Sequence, residues 1–243
     1  MIEISGLNAG YGRLQVLFDV EISTMPKAIN VIVGPNGSGK STLLKSIFGL
    51  TNIYSGSIRF DGVELSRLQP HTIAKHGIAY LPQVDNVFAN LTVYDNLRMA
   101  AYMLDKRTVQ DKIEEVFELF PVLKRFRNRR SGTMSGGERQ MLAIAMALLR
   151  RPKAMLFDEP TGNLSPKMAI QIFEIIKRLR DEFAITIIMA EQNARKALEL
   201  GDTAFLMVSG RPIFKGSADE LLNHAELGRL YLGITSAGRP SQI

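Results

Sequence analysis

The chain of 243 residues contains no cysteine. Disulfide scaffolding, thiol nucleophiles and thiolate metal sites are therefore excluded, and a reducing compartment is permitted. Long apolar runs are also missing. The longest uninterrupted one is "MLAIAMALL", residues 141–149, far short of the roughly 20 residues that a membrane-crossing helix needs. The opening "MIEISGLNAGYG" shows neither a basic leader nor an apolar signal core, which predicts a protein that is not secreted. Internal repeats and low-complexity blocks are absent as well. What remains is an ordinary globular composition, 46% hydrophobic and 22% charged. The length suits one large α/β domain, or a domain with a subdomain. Net charge is +6 and the isoelectric point is near 9.6. That balance favours anionic partners, whether nucleotide phosphates, nucleic acid or an anionic membrane face, without choosing among them.

Apolar β-rich runs alternate with stretches of helical period, which predicts a mostly parallel sheet covered by helices. The expected buried strands are residues 28–34, 77–83, 153–159, 184–190 and 203–209. Residues 56–65 alternate and turn at Asp61-Gly62, a hairpin pattern that could join the N-terminal segment in a small antiparallel sheet. Between Gln83 and Lys153 the character becomes helical. Thr92 and Thr108 read as helix starts, each with an acidic residue in the first turn. Val109, Ile113, Val116, Phe117 and Phe120 recur at helical spacing before Pro121, most simply as a packing face. Ser165-Pro166 and Ser217 through Glu220 mark later helix starts. The expected divisions are 1–85 (core with the antiparallel β subdomain), 86–152 (helical insert), 153–235 (remainder of the core) and a loose tail, 236–243. His71, His76 and His224 lie outside the motifs and read as surface or packing residues.

"GPNGSGKST" sits between an apolar strand and a helical run. Glycine, four residues, then Gly-Lys-Ser is the pattern of a phosphate-binding loop. Gly34, Gly37 and Gly39 let the backbone wrap its N–H groups around phosphate. Lys40 supplies a point charge, Ser41 can ligate Mg²⁺, and the helix dipole adds to the field. "AMLFDEP" places Asp158 and Glu159 at a strand end, where strand alternation would turn them to opposite sides. Asp158 is the expected Mg²⁺ residue and Glu159 the expected general base or water-orienting group. Gln83 ends another strand, where an amide could ligate Mg²⁺ or hold a water. Ser135-Gly136-Gly137 opens an apolar helical run, giving a capped helix start with two bare peptide units suited to an anion.

"GPNGSGKST", "LPQ", "MSGGERQ", "AMLFDEP" and "TGNLSP" occur in the order and approximate spacing of the ATP-binding cassette (ABC) ATPases, which the chain resembles over nearly its whole length. The resemblance implies a P-loop NTPase (RecA-like) α/β core of mostly parallel sheet, with an N-terminal antiparallel β subdomain and an inserted α-helical subdomain. It implies ATP and Mg²⁺ as ligands. It also implies two cassettes sandwiching nucleotide head to tail, so that Ser135, Gly136 and Gly137 meet the γ-phosphate held on the other cassette. The implied nucleotide-binding set is Tyr11 (stacking on adenine), Gly34, Asn36, Gly37, Ser38, Gly39, Lys40, Ser41, Thr42, Gln83 and Ser135 to Gly137. The implied metal set is Ser41, Gln83 and Asp158, and the catalytic set is Lys40, Glu159 and Gln192. Asn163 to Pro166 matches the loop that lies across the dimer interface. Two positions depart from the common pattern: Ser165 stands where aspartate is usual, and Gln192 where many members place a γ-phosphate-contacting histidine. Gln192 can donate a hydrogen bond to phosphate but cannot carry a proton or a charge at neutral pH.

"YGRLQVL", "EQNARKALELGD" and the phrase running from His76 to Tyr102 resemble the ATPase subunits of branched-chain (hydrophobic) amino-acid importers. That resemblance implies two transmembrane permease subunits, a second ATPase subunit (self or sister), an external substrate-binding protein, and a peripheral position on the cytoplasmic face of the membrane. Residues 84–96, with Val87 and Phe88 exposed, are the expected permease contact. A lipid or lipopolysaccharide exporter ATPase shares much of this grammar. A soluble ABC ATPase of DNA repair or translation is suggested by the charge, but the chain carries one cassette and no long coiled-coil insertion, so no nucleic acid is expected. A phosphate-loop kinase would leave "MSGGERQ" unexplained. The basic run "KRFRNRR", 124–130, reads as a solvated turn or as a contact for lipid headgroups or a partner.

Overall fold

The structure is a computed structural model and describes residues 1–84, 86–227 and 231. In chain order the elements are β1 (Ile2–Tyr11), β2 (Leu14–Ser23), β3 (Ile29–Val33), α1 (Lys40–Ile47), β4 (Asn52–Phe60), β5 (Val63–Glu64), α2 (Pro70–Lys75) and β6 (Ile78–Leu81). Then come α3 (Val93–Ala100), α4 (Val109–Leu119), α5 (Pro121–Arg125), a short 3₁₀ turn (Ser131–Thr133) and α6 (Gly136–Leu148). The chain continues through β7 (Ala154–Asp158), α7 (Pro166–Phe183), β8 (Thr186–Ala190), α8 (Ala194–Leu200), β9 (Thr203–Val208), β10 (Arg211–Ser217), α9 (Ala218–Asn223) and α10 (Ala225–Leu227).

Six strands form the central sheet, in the order β10-β9-β3-β8-β7-β6. All pairings are parallel except β9 with β10. Strands β3, β7 and β8 are buried at every residue, which is why they read as unbroken apolar runs rather than alternating ones. A second, antiparallel sheet runs β2-β1-β4-β5. Its β4 to β5 turn uses Asp61 (φ +48°) and Gly62 (φ +82°), the left-handed pair that a tight hairpin demands. The two sheets share a core around α1: Leu43, Leu44 and Ile47 pack with Ile4, Leu17 and Phe60 on one side and Leu156 and Ile188 on the other. The inserted helices are stitched to the other face of the central sheet. Phe117, Leu123, Leu142 and Ile144 join Phe157, Met189 and Ile176 in one cluster.

Helix starts follow the expected capping chemistry except at Thr108, whose hydroxyl donates to Asp105 O (3.1 Å) and does not cap α4. Thr92 Oγ1 accepts from Asp95 N, Ser165 Oγ from Met168 N and Ser217 Oγ from Glu220 N. On α4, Ile113, Val116 and Phe117 are buried and Phe120 follows them into the core, while Val109 is half-buried. Several boundaries differ from expectation. The strand expected over 184–190 begins at Thr186, because Ala184 adopts a left-handed conformation (φ +52°) that closes α7. The hairpin strand starts at Asn52, four residues before Gly56. The edge strand β10 and the short helix α2 are not apparent from periodicity. Exposure in β10 alternates with half-burial along its whole length, so it carries no apolar run. His71 and His76 are exposed, and His224 lies edge-on to Phe214. The tail expected over 236–243 lies outside the described residues.

Candidate functional site

The phosphate-loop pattern lies between β3 and α1, at the C-terminal ends of the parallel strands, where α/β sheets place their ligands. Glycine is required here by geometry. Gly34 has φ +148°, and a Cβ on it would lie 2.1 Å from the Met207 carbonyl oxygen of β9. Gly39 precedes α1 with φ +99°. Lys40, the first residue of α1, is 4% exposed. Its Nζ donates to the carbonyls of Gly34 (2.9 Å) and Pro35 (3.0 Å). Burial lowers its pKa, while the charges of Glu159, Asp158 and Glu191 act in the opposite direction. Ser38 Oγ is buried and has no hydrogen-bond partner among the described residues. Buried hydroxyls are nearly always satisfied, so an orphaned one inside a loop of this shape fits a phosphate oxygen.

Asp158, the last residue of β7, is 5% exposed. One oxygen accepts from Ser41 Oγ at 2.7 Å and the other from Tyr80 OH at 3.0 Å. The Tyr80 phenol is held far above its ordinary pKa, by burial first and then by the charge and hydrogen bond of Asp158. Glu159 does not continue the strand. Strand alternation is replaced by a left-handed residue (φ +49°) whose N–H donates to Ala190 O at 2.9 Å. Its carboxylate accepts from Gln83 Nε2 at 2.9 Å. Gln192 immediately follows Glu191 at the end of β8 and is exposed.

A cleft of about 370 Å³ gathers Val16, Asn36, Gly37, Ser38, Gly39, Lys40, Ser41, Thr42, Glu159 and Gln192. A second cleft, of about 350 Å³, holds Gln83, Gly136, Glu159 and Asn163, so Glu159 borders both. Of the nominated residues, Tyr11, Gly34, Gln83, Ser135 to Gly137 and Asp158 do not line the first cleft. Tyr11 ends β1 with 41% of its surface exposed. Ser135 to Gly137 cap α6: Ser135 Oγ accepts from Glu138 N (3.3 Å) and Glu138 Oε2 accepts from Ser135 N (2.8 Å), a complete capping box. Gly137 has a packing reason of its own. A Cβ there would meet the Met168 side chain of α7 at 2.2 Å.

Near the expected permease contact, Val87 is a correction. It is half-buried and packs on the core, whereas Val84 (62%) and Phe88 (51%) are exposed. Asp85 lies outside the described residues. The basic run is partly structural: Arg127 pairs with Glu114 (3.1 Å) and lies over the Tyr94 ring at 4.3 Å, and Arg129 donates to Thr133. Two residues reach the site that were not nominated from the sequence, although both lie in or beside quoted phrases: Tyr80, directly before "LPQ", and Glu191, the first residue of "EQNARKALELGD". Tyr80 is signalled only by a hydroxyl in an otherwise apolar strand. Glu191 is signalled only by an acid at the end of a fully buried strand.

A family model described as "ABC transporter" matches residues 17–162. The chain is 53% identical to the probable branched-chain amino acid transport ATP-binding protein LivF of Archaeoglobus fulgidus, over 96% of this chain and 99% of that protein. It is 42% identical to the high-affinity branched-chain amino acid transport ATP-binding protein BraG of Pseudomonas aeruginosa, over 96% and 100%. To the lipopolysaccharide export system ATP-binding protein LptB of Escherichia coli it is 33% identical, over 93% and 95%. Among solved structures, CbiO1 of Clostridium perfringens, part of the ABC transporter complex CbiONQ, superposes with a TM-score of 0.83 at 26% identity, over 94% of this chain and 92% of that one. A fold, a phosphate loop and near full-length relatives agree, and the chain belongs to the ABC transporter family as one of its ATP-binding, ATP-hydrolysing cassettes.

Proposed function

We propose that this cassette drives an importer of branched-chain amino acids, bound at the cytoplasmic membrane face beneath two permease subunits and paired head to tail with a second cassette. The observation that carries this reading is 53% identity to the archaeal LivF across nearly the whole of both chains. Among the described residues no helix is long and apolar enough to cross a membrane, so the reading needs membrane partners. Exposed Val84, Phe88, Met99, Tyr102 and Met103 form the apolar ground for a permease contact. An external binding protein would deliver the amino acid. The proposed units are 1–85 with 153–235 as the nucleotide-binding core and 86–152 as the helical insert.

In this reading Lys40 and the loop N–H groups from Asn36 to Thr42 hold the ATP phosphates, and Tyr11 stacks on adenine. Ser41 and Asp158 hold Mg²⁺, with the Gln83 amide as an additional oxygen donor. The fit rests on the oxygens of Ser41 and Asp158 already lying 2.7 Å apart. Among the described residues no cluster of three or more His, Cys, Asp or Glu could hold a metal. That suits an ion bound by one or two protein oxygens and substrate phosphates. When bound, the ion neutralises charge on the β- and γ-phosphate oxygens. Glu159 orients the attacking water and takes its proton. Gln192 donates a hydrogen bond to the γ-phosphate. Ser135, Gly136 and Gly137 complete the partner's site, and loss of the γ-phosphate opens the dimer.

The 33% identity to LptB supports a lipid or lipopolysaccharide exporter as the second reading. Purification of the tagged chain from its native membranes in mild detergent separates the two. Recovery of two multi-span proteins and a second cassette, with an associated binding protein that takes leucine, isoleucine or valine, is expected. Ribosomal proteins, nucleic acid, lipopolysaccharide-export components or no membrane partner would remove the importer role and leave the ATPase.

A further inference from the structure

Asp158 and Glu191 are the two buried acids among the described residues. The chemistry above uses Asp158 and leaves Glu191, 2% exposed, without a task. A buried carboxylate persists only where its oxygens are hydrogen-bonded, and the origin of its donors is informative. One oxygen accepts from Thr161 N (3.0 Å) and Thr161 Oγ1 (2.7 Å). The other accepts from Gln192 N (3.1 Å). The Glu191 backbone N–H donates to Ile32 O (3.1 Å), two residues before Gly34. One residue therefore ties together the strand entering the phosphate loop, the turn after β7 and the segment after β8.

The turn it holds carries Glu159. Gly162 N donates to Glu159 O (3.0 Å), and Leu164 N donates to Thr161 O (3.2 Å). Glu159 (φ +49°) and Asn163 (φ +59°) are both left-handed without being glycine. Such residues keep their conformation only when their surroundings impose it. The Thr161 hydroxyl and amide, fixed by Glu191, lie in the middle of that short turn.

We propose that Glu191 is a positioning residue for hydrolysis: its carboxylate locks the Thr161 turn to the Gln192 segment, so that Glu159 and Gln192 face the terminal phosphate as one unit. The inference rests on the roles given to Glu159 and Gln192 above. A carboxylate suits the task because both of its oxygens accept. Glutamine at this position would keep the shape but accept on one side only, turning an NH₂ donor toward a backbone N–H.

The test uses the purified full-length chain, with equilibrium ATP binding, steady-state hydrolysis and thermal unfolding measured on the same preparations. Glu191→Gln is expected to lower kcat about tenfold, the loss of one hydrogen bond to a charged group, with ATP affinity within about twofold of the parent. Thr161→Val lowers kcat similarly and Thr161→Ser, which keeps the hydroxyl, restores it. Because both partners act in one contact, the double variant Glu191→Gln/Thr161→Val turns over no more slowly than the worse single variant. Unchanged kcat in Glu191→Gln overturns the proposal. So do fully multiplicative losses in the double variant, or a fall in ATP affinity that matches the fall in kcat, which would mark a merely structural residue. Glu159→Gln serves as the control: if it still hydrolyses ATP at the parent rate, the reading of the site itself has failed, whatever Glu191 does.

Discussion

Ser41 and Asp158 are 117 residues apart in sequence, and Ser41 Oγ donates to Asp158 Oδ1 at 2.7 Å. Their meeting brings the start of α1 to the end of β7, and it predicts metal dependence. Asp158→Asn should retain binding of ATP in EDTA, since Lys40 and the loop N–H groups are untouched. The added affinity and thermal stabilisation that Mg²⁺ confers on wild type should fall at least tenfold. Calorimetric titration of ATP with and without Mg²⁺ reads both, and an unchanged Mg²⁺ increment would remove Asp158 from the metal site.

Glu159 borders both clefts and is joined to Gln83 by a 2.9 Å hydrogen bond. Glu159→Gln should bind ATP normally, hydrolyse it at least about a hundredfold more slowly, the lower end of what a positioned general base contributes, and accumulate as a nucleotide-bridged dimer. Size-exclusion chromatography in ATP and phosphate-release rates check it. Wild-type turnover would disprove the assignment of the base.

Ser135 is exposed and outside the phosphate-loop cleft of its own chain. Ser135→Arg should therefore leave ATP affinity within about twofold while preventing ATP-dependent dimerisation, because the bulk of arginine would hold the helix start away from the nucleotide bound by the partner. Some loss of thermal stability is also expected, on the order of 1 kcal/mol for a helix cap. Lost ATP binding in the monomer would contradict the role in trans.

A Cβ on Gly137 would meet the mobile end of the Met168 side chain at 2.2 Å and its Cγ and Cβ at 3.0 and 3.1 Å, so Met168 must give way. Gly137→Ala should cost no more than about 1 kcal/mol, because the Met168 tip can swing aside and alanine gains roughly as much in helix propensity. Shortening the neighbour, in Gly137→Ala/Met168→Ala, should recover part of the loss relative to Met168→Ala alone. Urea unfolding of the four proteins measures the coupling, and strictly additive losses would show that the contact does not constrain Gly137.

Arg127 pairs with Glu114 and stacks on Tyr94, uniting α3 and α4. Arg127→Ala should destabilise the chain by roughly 1 kcal/mol, the sum of a half-exposed ion pair and a cation–π contact. Arg130→Ala should be neutral, because among the described residues its guanidinium makes no hydrogen bond or ion pair and its backbone contacts survive the change. Equal effects on lipid-vesicle binding with no stability difference would instead favour the headgroup reading of this run.

Local chemistry alone determined much of this protein. A phosphate loop, a helix cap and a fully buried strand are each specified within about ten consecutive residues, because sterics, capping and hydrophobic burial act at short range. So "GPNGSGKST", "AMLFDE" and "MSGGERQ" were legible, and the family with them. Tertiary structure decided what depends on strands meeting across the sheet. The order β3-β8-β7 puts Ser41 on Asp158 and Glu191 on Thr161. The left-handed turn at Glu159 overrides strand alternation, and the fold sets Gly137 against the Met168 side chain. The sequence gives Tyr80 and Glu191 no site role of their own, because their partners lie 78 and 30 residues away. A hydrogen bond at that separation leaves no periodic mark in the sequence and exists only once the fold has closed.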